Sequence, residues 1–228
     1  MIDIVNNLAT INHSISAAAK KSGRSPGDIQ LIGVTKTVGP ERIGQLLSAG
    51  VNNLGENRVQ EFLPKYESLQ QSLMPNWHFI GHLQRNKVKF IIDKVVMIHS
   101  VDSISLAREI DSRAGKADLI MDILVEVNIA GEDSKHGIAP HQAVPFMVEL
   151  AKLSHIRVKG LMCIAPFVEK SEENRSNFEK MRNLLIDINA HSLHNHSLTE
   201  LSMGMSGDYE VAIEEGATMV RIGTALVG

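Results

Sequence analysis

A lysine, two hydroxyl side chains and an arginine follow or end candidate strands in this sequence. Lys36 ends the apolar run 31–36, which is rich in branched residues and is closely followed by the turn signal Gly39-Pro40. Such a run is typical of a strand that is buried on both faces. Ligands of parallel α/β proteins bind at the carboxyl ends of the strands. Lys36 therefore presents a primary amine at a ligand-binding edge, although a strand-end lysine that is merely solvated has the same pattern.

Groups that suit an anion lie far downstream. Ser206 and Gly207 follow the candidate strand 200–203, and Arg221, Gly223 and Thr224 lie at the end of the candidate strand 218–222. Hydroxyls donate hydrogen bonds, and glycine lets the backbone approach a ligand closely. The start of the candidate helix 208–215 adds unpaired N–H groups. Each residue also has an ordinary interpretation: Ser206 as a helix cap, Gly223 as a turn glycine and Arg221 as a buried ion-pair partner.

Eight candidate strands alternate with candidate helices. The strands are 31–36, 51–55, 77–81, 95–99, 119–128, 158–164, 200–203 and 218–222, with 119–128 the longest; the helices include 40–50, 84–93, one capped by Asp102, one that starts between Pro140 and Pro145, and 172–189. This alternation predicts an α/β fold, a single (β/α)₈ TIM barrel that occupies residues 1–228 as one domain. An extra N-terminal helix at 2–22 is amphipathic, and we expect it to cover the barrel wall beside strand eight, where little chain remains.

A closed barrel makes its first and last strands neighbours, so Lys36 should lie beside Arg221, Gly223 and Thr224. An amine, an anion cradle and a guanidinium together suit a ring that carries both an aldehyde and a phosphate, which is pyridoxal 5′-phosphate. The amine would form a Schiff base with the aldehyde. A Schiff-base aldolase for phosphorylated sugars remains an alternative, but the residues around Ser206 and Arg221 favour the pyridine cofactor.

Composition excludes several other classes. The 228 residues carry a formal net charge of −3 and are only 4% aromatic, which argues against nucleic-acid binding. Cys163 is the sole cysteine, so no disulfide forms within the chain, and we expect a cytoplasmic protein. Neither a signal peptide nor a membrane-spanning segment is predicted. No metal site is predicted either, because His191, His194 and His196 have no cysteine or carboxylate at ligand spacing.

Six stretches that cover nearly the whole chain resemble one family, the pyridoxal phosphate homeostasis proteins, which are single-domain relatives of the alanine racemase N-terminal barrel. The stretches are 34–36 (VTK), 55–61 (GENRVQE), 77–87 (WHFIGHLQRNK), 159–162 (KGLM), 201–206 (LSMGMS) and 220–225 (VRIGTA). The resemblance implies that Lys36 carries the Schiff base. It also implies that Ser206, Gly223 and Thr224 hold the phosphate, that Arg221 faces the pyridine nitrogen, and that Asn57 and Met203 line the cofactor.

The resemblance further implies a holder or carrier of the cofactor and not an enzyme. Arginine stays protonated, so a pyridine nitrogen that faces it stays unprotonated and the ring is a weaker electron sink. Racemisation needs a proton donor or acceptor on each face of the substrate carbon. Full-length racemases take one of these, a tyrosine, from a second domain; Tyr66 and Tyr209 are here predicted to be helix residues. Amino-acid racemisation is the alternative function. We expect a monomer whose partners are the cofactor and pyridoxal-phosphate-dependent apo-enzymes.

Overall fold

The computed structural model describes residues 3–69, 75–132, 134–191 and 198–228. Its centre is a closed barrel of eight parallel strands in sequential order. The strands are β1 (Gln30–Val34), β2 (Asn53–Glu56), β3 (Asn76–Phe79), β4 (Met97–Val101), β5 (Met121–Glu126), β6 (Ile156–Met162), β7 (Glu200–Met205) and β8 (Met219–Ile222). The predicted (β/α)₈ TIM barrel is therefore confirmed.

The barrel closes between the first and last strands. β1 pairs with β8 in parallel register from Gln30 opposite Met219 to Gly33 opposite Ile222. Both strands end at the same rim, which is the ligand-binding end of a parallel barrel. The neighbourhood predicted for Lys36 and Arg221 depends on this pairing.

Helices surround the barrel. They are α1 (Ile4–Lys21), α2 (Pro40–Ser48), α3 (Val59–Leu69), α4 (Ile104–Lys116), α5 (Ala143–Leu150), α6 (Arg175–Ala190), α7 (Tyr209–Glu214) and α8 (Thr224–Val227). The extra helix α1 packs against α7 and α8. Its buried side chains Ile11, Ile15 and Ala18 form the inner stripe. The short α8 follows β8, so α1 and α8 together occupy the region that α1 alone was expected to cover.

Two apolar layers hold the barrel. A large cluster lies between the strands and the helices. A smaller cluster joins side chains from five strands inside the barrel; it consists of Ile32, Met97, Leu124, Met162 and Met219. This interior layer is apolar, as is usual when eight strands close on packed side chains. It shares the barrel interior with the buried polar side chains of His78, His99 and Ser202.

Three local predictions are wrong. Ser103, and not Asp102, caps α4, because its side-chain oxygen accepts from the Leu106 N–H. Strand β5 is not the longest, since Asn128 Oδ1 accepts from the N–H groups of Gly131 and Glu132 and turns the chain away. The longest strand is β6, with seven residues. The segment predicted as a helix over 84–93 is the shorter 3₁₀ helix Arg85–Phe90.

The helix expected between Pro140 and Pro145 starts at Ala143 and follows the 3₁₀ turn Pro140–Gln142. Pro145 lies in its first turn, where backbone N–H groups have no carbonyl partner within the helix, so the missing N–H of proline breaks no helical hydrogen bond. Among the helices that the structure describes, none combines the length and apolar character needed to span a lipid bilayer.

Candidate functional site

A cavity of about 500 Å³ opens at the carboxyl end of the barrel. It is bordered by residues after β1, β5, β6, β7 and β8. Of the seven residues predicted to bind the cofactor, five line it: Lys36, Ser206, Arg221, Gly223 and Thr224. The barrel therefore brings together groups that are widely separated in sequence.

Lys36 lies two residues beyond the end of β1 and is exposed. No hydrogen bond or ion pair to the Lys36 side chain is found among the described residues, so its amine is available to a ligand in the cavity. Gly223 lies against the same strand, because a Cβ placed on Gly223 would come within 3.3 Å of the Val34 Cβ. The end of β8 and the segment that carries Lys36 are thus in direct contact.

A buried ion pair braces the chain just before Lys36. The Lys65 Nζ of α3 lies 2.7 Å from Glu56 Oε1 and donates to the Thr35 carbonyl oxygen at 2.6 Å. The Thr35 hydroxyl donates to the same Glu56 oxygen at 2.6 Å. Both backbone and side chain of Thr35 are therefore fixed. This pair was not predicted, because no local motif in the sequence indicates it.

The loops after β7 and β8 meet at Ser206. Its hydroxyl oxygen accepts from the Ala225 N–H at 3.2 Å, which leaves the hydroxyl proton for a ligand. The Thr224 N–H, at the first position of α8, has no carbonyl partner within the helix. Asp208 shapes the loop below, since its carboxylate accepts from the Met205 N–H and from Asn174 Nδ2. These two loops thus direct donors toward one side of the cavity.

Arg221 is buried at the floor of this cavity. Its guanidinium donates to Ser202 Oγ at 2.6 Å and to the Cys163 carbonyl at 2.8 Å. Its recorded partners are thus a hydroxyl and a carbonyl, and not the carboxylate of an ion pair. Burial lowers the pKa of Arg221 from its usual value. An arginine nevertheless stays protonated in proteins, so it acts here as a donor only.

Two buried histidines continue the hydrogen bonds below Arg221. His99 Nδ1 lies 3.0 Å from Ser202 Oγ, His99 Nε2 lies 3.0 Å from His78 Nδ1, and His78 Nε2 lies 3.4 Å from Asn53 Oδ1. Burial lowers the pKa of His78 to about 4 and that of His99 well below its usual value. Both rings are therefore neutral near pH 7.

One direction of donation gives every group in this series of hydrogen bonds a donor or an acceptor. Arg221 donates to Ser202, so the Ser202 proton points to His99 Nδ1. The His99 Nε2–H then donates to His78, and the His78 Nε2–H donates to the Asn53 oxygen. This arrangement orients the guanidinium from below. Strand alternation could have indicated an inward Ser202, but it could not have paired it with histidines from β3 and β4.

The other two predicted binding residues lie elsewhere. Met203 is fully buried in the cluster between barrel and helices, because its neighbour Ser202 points into the barrel and side chains alternate along a strand. Asn57 follows β2 and lines a separate groove together with His82 and Gln84. Neither residue lines the main cavity, so their contact with a cofactor stays a prediction.

The structure also gives the positions of several residues that the sequence indicated less strongly. Lys135 lines the cavity and pairs with Glu132 at 2.7 Å, while His136 stacks on His82. Cys163 is fully buried, and burial raises the pKa of its thiol to about 12, which makes it an unreactive core residue. Tyr66 and Tyr209 lie in α3 and α7, as predicted. His191 is the C-cap residue that follows α6, whereas His194 and His196 lie outside the described residues.

Glu126 at the end of β5 is a buried carboxylate whose Oε2 atom has no hydrogen-bond partner among the residues described. Burial, helped by the charge of Asp102 and opposed by that of Arg221, raises the pKa of Glu126 to about 7. An acid whose pKa is higher when folded binds more protons in the folded state between the two pKa values. Stability contributed by Glu126 therefore decreases as pH rises from about 4.5 to about 7.

We predict that Glu126→Gln stabilises the protein at about pH 8 by up to about 3 kcal/mol relative to the unmodified chain, because glutamine carries no charge to bury. Near pH 5 the difference should be small, since Glu126 is then largely protonated in the folded state. Urea unfolding of both proteins at several pH values measures this difference. A difference that stays constant from pH 5 to pH 8 would contradict the assignment.

Comparison with known proteins identifies the family. Residues 6–228 match the family described as alanine racemase, N-terminal domain. The pyridoxal phosphate homeostasis protein of Aquifex aeolicus is 46% identical over 97% of this chain and 96% of its own length. This chain belongs to the pyridoxal phosphate homeostasis protein family. The family resemblance predicted from the sequence motifs is therefore confirmed.

Solved structures agree at the level of the fold. The structure of PipY from Synechococcus elongatus with PLP (pyridoxal phosphate) bound superposes with a TM-score of 0.87 at 32% identity, covering 99% of this chain and all of that one. Alanine racemase from Clostridium difficile superposes with a TM-score of 0.71 at 18% identity. The superposition covers 98% of this chain but only 56% of the racemase chain, so the likeness concerns the barrel alone.

Proposed function

We propose that this protein binds pyridoxal 5′-phosphate covalently through Lys36 and buffers or delivers it inside the cell without catalysing a reaction. The observation that carries the proposal is the shared cavity of Lys36, Ser206, Arg221, Gly223 and Thr224. Its family membership and the PLP-bound structure of PipY support the same ligand. When bound, the cofactor supplies an aldehyde that condenses with a primary amine.

The residues of this chain fit each part of the ligand. Lys36 offers an amine that has no hydrogen-bond or ion-pair partner among the described residues. Ser206 and Thr224 offer hydroxyls, and the Thr224 N–H lies at the beginning of α8, which suits a phosphate. Arg221 offers N–H donors to a ring nitrogen and keeps that nitrogen unprotonated, because the guanidinium has no proton-accepting form near pH 7. An unprotonated ring nitrogen disfavours reactions that draw electrons into the ring.

Racemisation is the competing function, and the described residues that line the cavity include no suitable second acid or base. No tyrosine occurs among the cavity-lining residues that the structure describes. Of the other titratable side chains there, Lys135 is paired with Glu132 and Asp208 accepts hydrogen bonds from Met205 and Asn174. A proton could therefore be exchanged by Lys36 on one face, whereas the part of the chain that the structure describes offers no free group to the other face.

Two measurements on the purified protein test the proposal. Absorbance before and after borohydride, followed by mass spectrometry, should reveal one reduced cofactor per chain. Incubation with L-alanine and other amino acids should leave their chirality unchanged; steady racemisation would overturn the non-catalytic assignment. Reactivation of a PLP-dependent apo-enzyme by the loaded protein tests delivery. In this proposal the protein acts in the cytoplasm as a monomer, which light scattering can check.

We predict that Arg221→Lys weakens retention of PLP by about tenfold or more. The lysine keeps a positive charge but loses the planar fork that bonds Ser202 and the Cys163 carbonyl while donating into the cavity. Equilibrium dialysis measures retention. Arg182→Lys is the matched control, because Arg182 pairs with Glu215 away from the cavity and its replacement should leave retention unchanged. Equal retention by all three proteins would mean that Arg221 does not face the cofactor.

A further inference from the structure

Three polar side chains meet on the same rim of the barrel, outside the set that lines the cavity. His82 follows β3, Asp102 follows β4 and His136 follows β5, so three consecutive strands each contribute one of them. One possible ligand atom from each lies within 4.8 Å of the other two. His82 Nδ1 is 3.5 Å from Asp102 Oδ2, and the two imidazole rings stack with centroids 3.9 Å apart and planes 13° apart.

The distances suit a shared metal ion. Zinc binds imidazole nitrogen and carboxylate oxygen at about 2.0–2.2 Å, so two donors on one tetrahedral ion lie on the order of 3.3 Å apart. The His82–Asp102 separation is already close to this value. His82 and His136 are exposed, and small rotations of their side chains would bring the remaining donor into range.

The two stacked rings define what binding of one ion requires. An imidazole nitrogen binds a metal in the plane of its own ring, so a side-chain rotation must end the 3.9 Å stack before both rings can face the same ion. Asp102 then supplies the third ligand. The adjacent Lys135 does not supply a positive charge to this group, because it pairs with Glu132.

The backbone holds both histidines in place. Gly81 precedes His82, and a Cβ on Gly81 would lie 2.3 Å from the Asn57 carbonyl oxygen, so only glycine allows this approach. Gly137 follows His136 with a φ of 110°, and a Cβ there would lie 2.6 Å from the Asn128 nitrogen. Glycine is thus required beside each of the two ligands.

We propose that His82, Asp102 and His136 form a binding site for a divalent transition metal such as Zn²⁺. Three protein ligands leave a fourth position for water or for an anionic group such as a carboxylate. These three residues come from three separate loops and are far apart in the sequence. Because they show none of the short spacings typical of metal ligands, no metal site was predicted from the sequence.

Titration of untagged protein with Co²⁺ alone, and then with Zn²⁺ as competitor, tests the site. We expect one Co²⁺ per chain, with the intense visible absorption of a four-coordinate ion, and its displacement by Zn²⁺. His82→Ala and His136→Ala should each weaken binding by at least about tenfold, as should Asp102→Asn. His155→Ala is the matched control, because His155 is similarly exposed and lies 3.7 Å from Asp111, and the described residues place no third possible ligand with that pair.

The outcomes separate cleanly. Loss of binding in the site variants, with native circular dichroism and an unaffected His155→Ala variant, supports the proposal. His82→Gln and His136→Gln, which keep the polar character of the side chains, should show the same loss. Unchanged Co²⁺ affinity in a double His82→Ala, His136→Ala variant would overturn it, as would an equal loss in the His155→Ala variant.

Discussion

Replacing Lys36 with alanine will abolish covalent attachment of pyridoxal phosphate. Lys36 supplies the free amine of the cavity, so its loss should remove the borohydride-trapped adduct completely and with it the visible absorbance of the loaded protein. Intact mass spectrometry after reduction measures the adduct directly. Non-covalent binding should remain at reduced affinity, because Ser206, Arg221 and Thr224 are unchanged.

Lys135 provides the matched control for this experiment. It is the second amine that lines the cavity, but it is paired with Glu132 and lies on the opposite side, after β5. Lys135→Ala should therefore retain the full reducible adduct. A trapped adduct in the Lys36→Ala variant would show that Lys36 is not the lysine that binds the cofactor. Loss of the adduct in the Lys135→Ala variant would also contradict the assignment to Lys36.

Replacing Lys65 with methionine will destabilise the protein by about 3–5 kcal/mol, because Glu56 is left as an uncompensated buried charge. The Thr35 carbonyl also loses its donor, so the segment that presents Lys36 should shift and PLP retention should fall. Urea unfolding without added PLP measures stability, and dialysis measures retention.

Two controls separate the buried pair from an ordinary ion pair. A double Lys65→Met, Glu56→Met variant removes both charges and should recover most of the lost stability. Arg113→Met breaks the partly exposed pair with Glu109, which has the same 2.7 Å separation, and should cost less than about 1 kcal/mol. Equal losses for Lys65→Met and Arg113→Met would contradict the role assigned to burial.

The architecture was predictable because each strand is a short apolar run with turn residues beside it. All eight strands occur where predicted, with ends displaced by a few residues. The errors arise where a side chain competes with the pattern: Asn128 turns the chain after β5, and Ser103 replaces Asp102 as the cap of α4. Such contacts depend on side-chain geometry that hydrophobic periodicity does not report.

The candidate site was predictable only in part. Lys36 and Arg221 could be brought together because barrel closure fixes which strand ends are neighbours. Met203 was expected near the cofactor, yet alternation along β7 directs it outward. Two buried contacts were not predicted: the hydrogen bonds that join His78, His99 and Ser202, and the Glu56–Lys65 pair. Each joins residues from different elements, and the sequence does not show how close such residues lie in space.

The position of α1 has a consequence for biosynthesis. Its partners α7 and α8 are produced late by the ribosome, and the Asn7 side chain donates to the Leu226 carbonyl across 219 residues. The apolar stripe of α1 therefore emerges from the ribosome long before α7 and α8, against which it packs in the folded protein. Because contacts of such high sequence separation slow folding, the nascent polypeptide is exposed to aggregation throughout this interval, and chaperones that shield α1 should improve its yield.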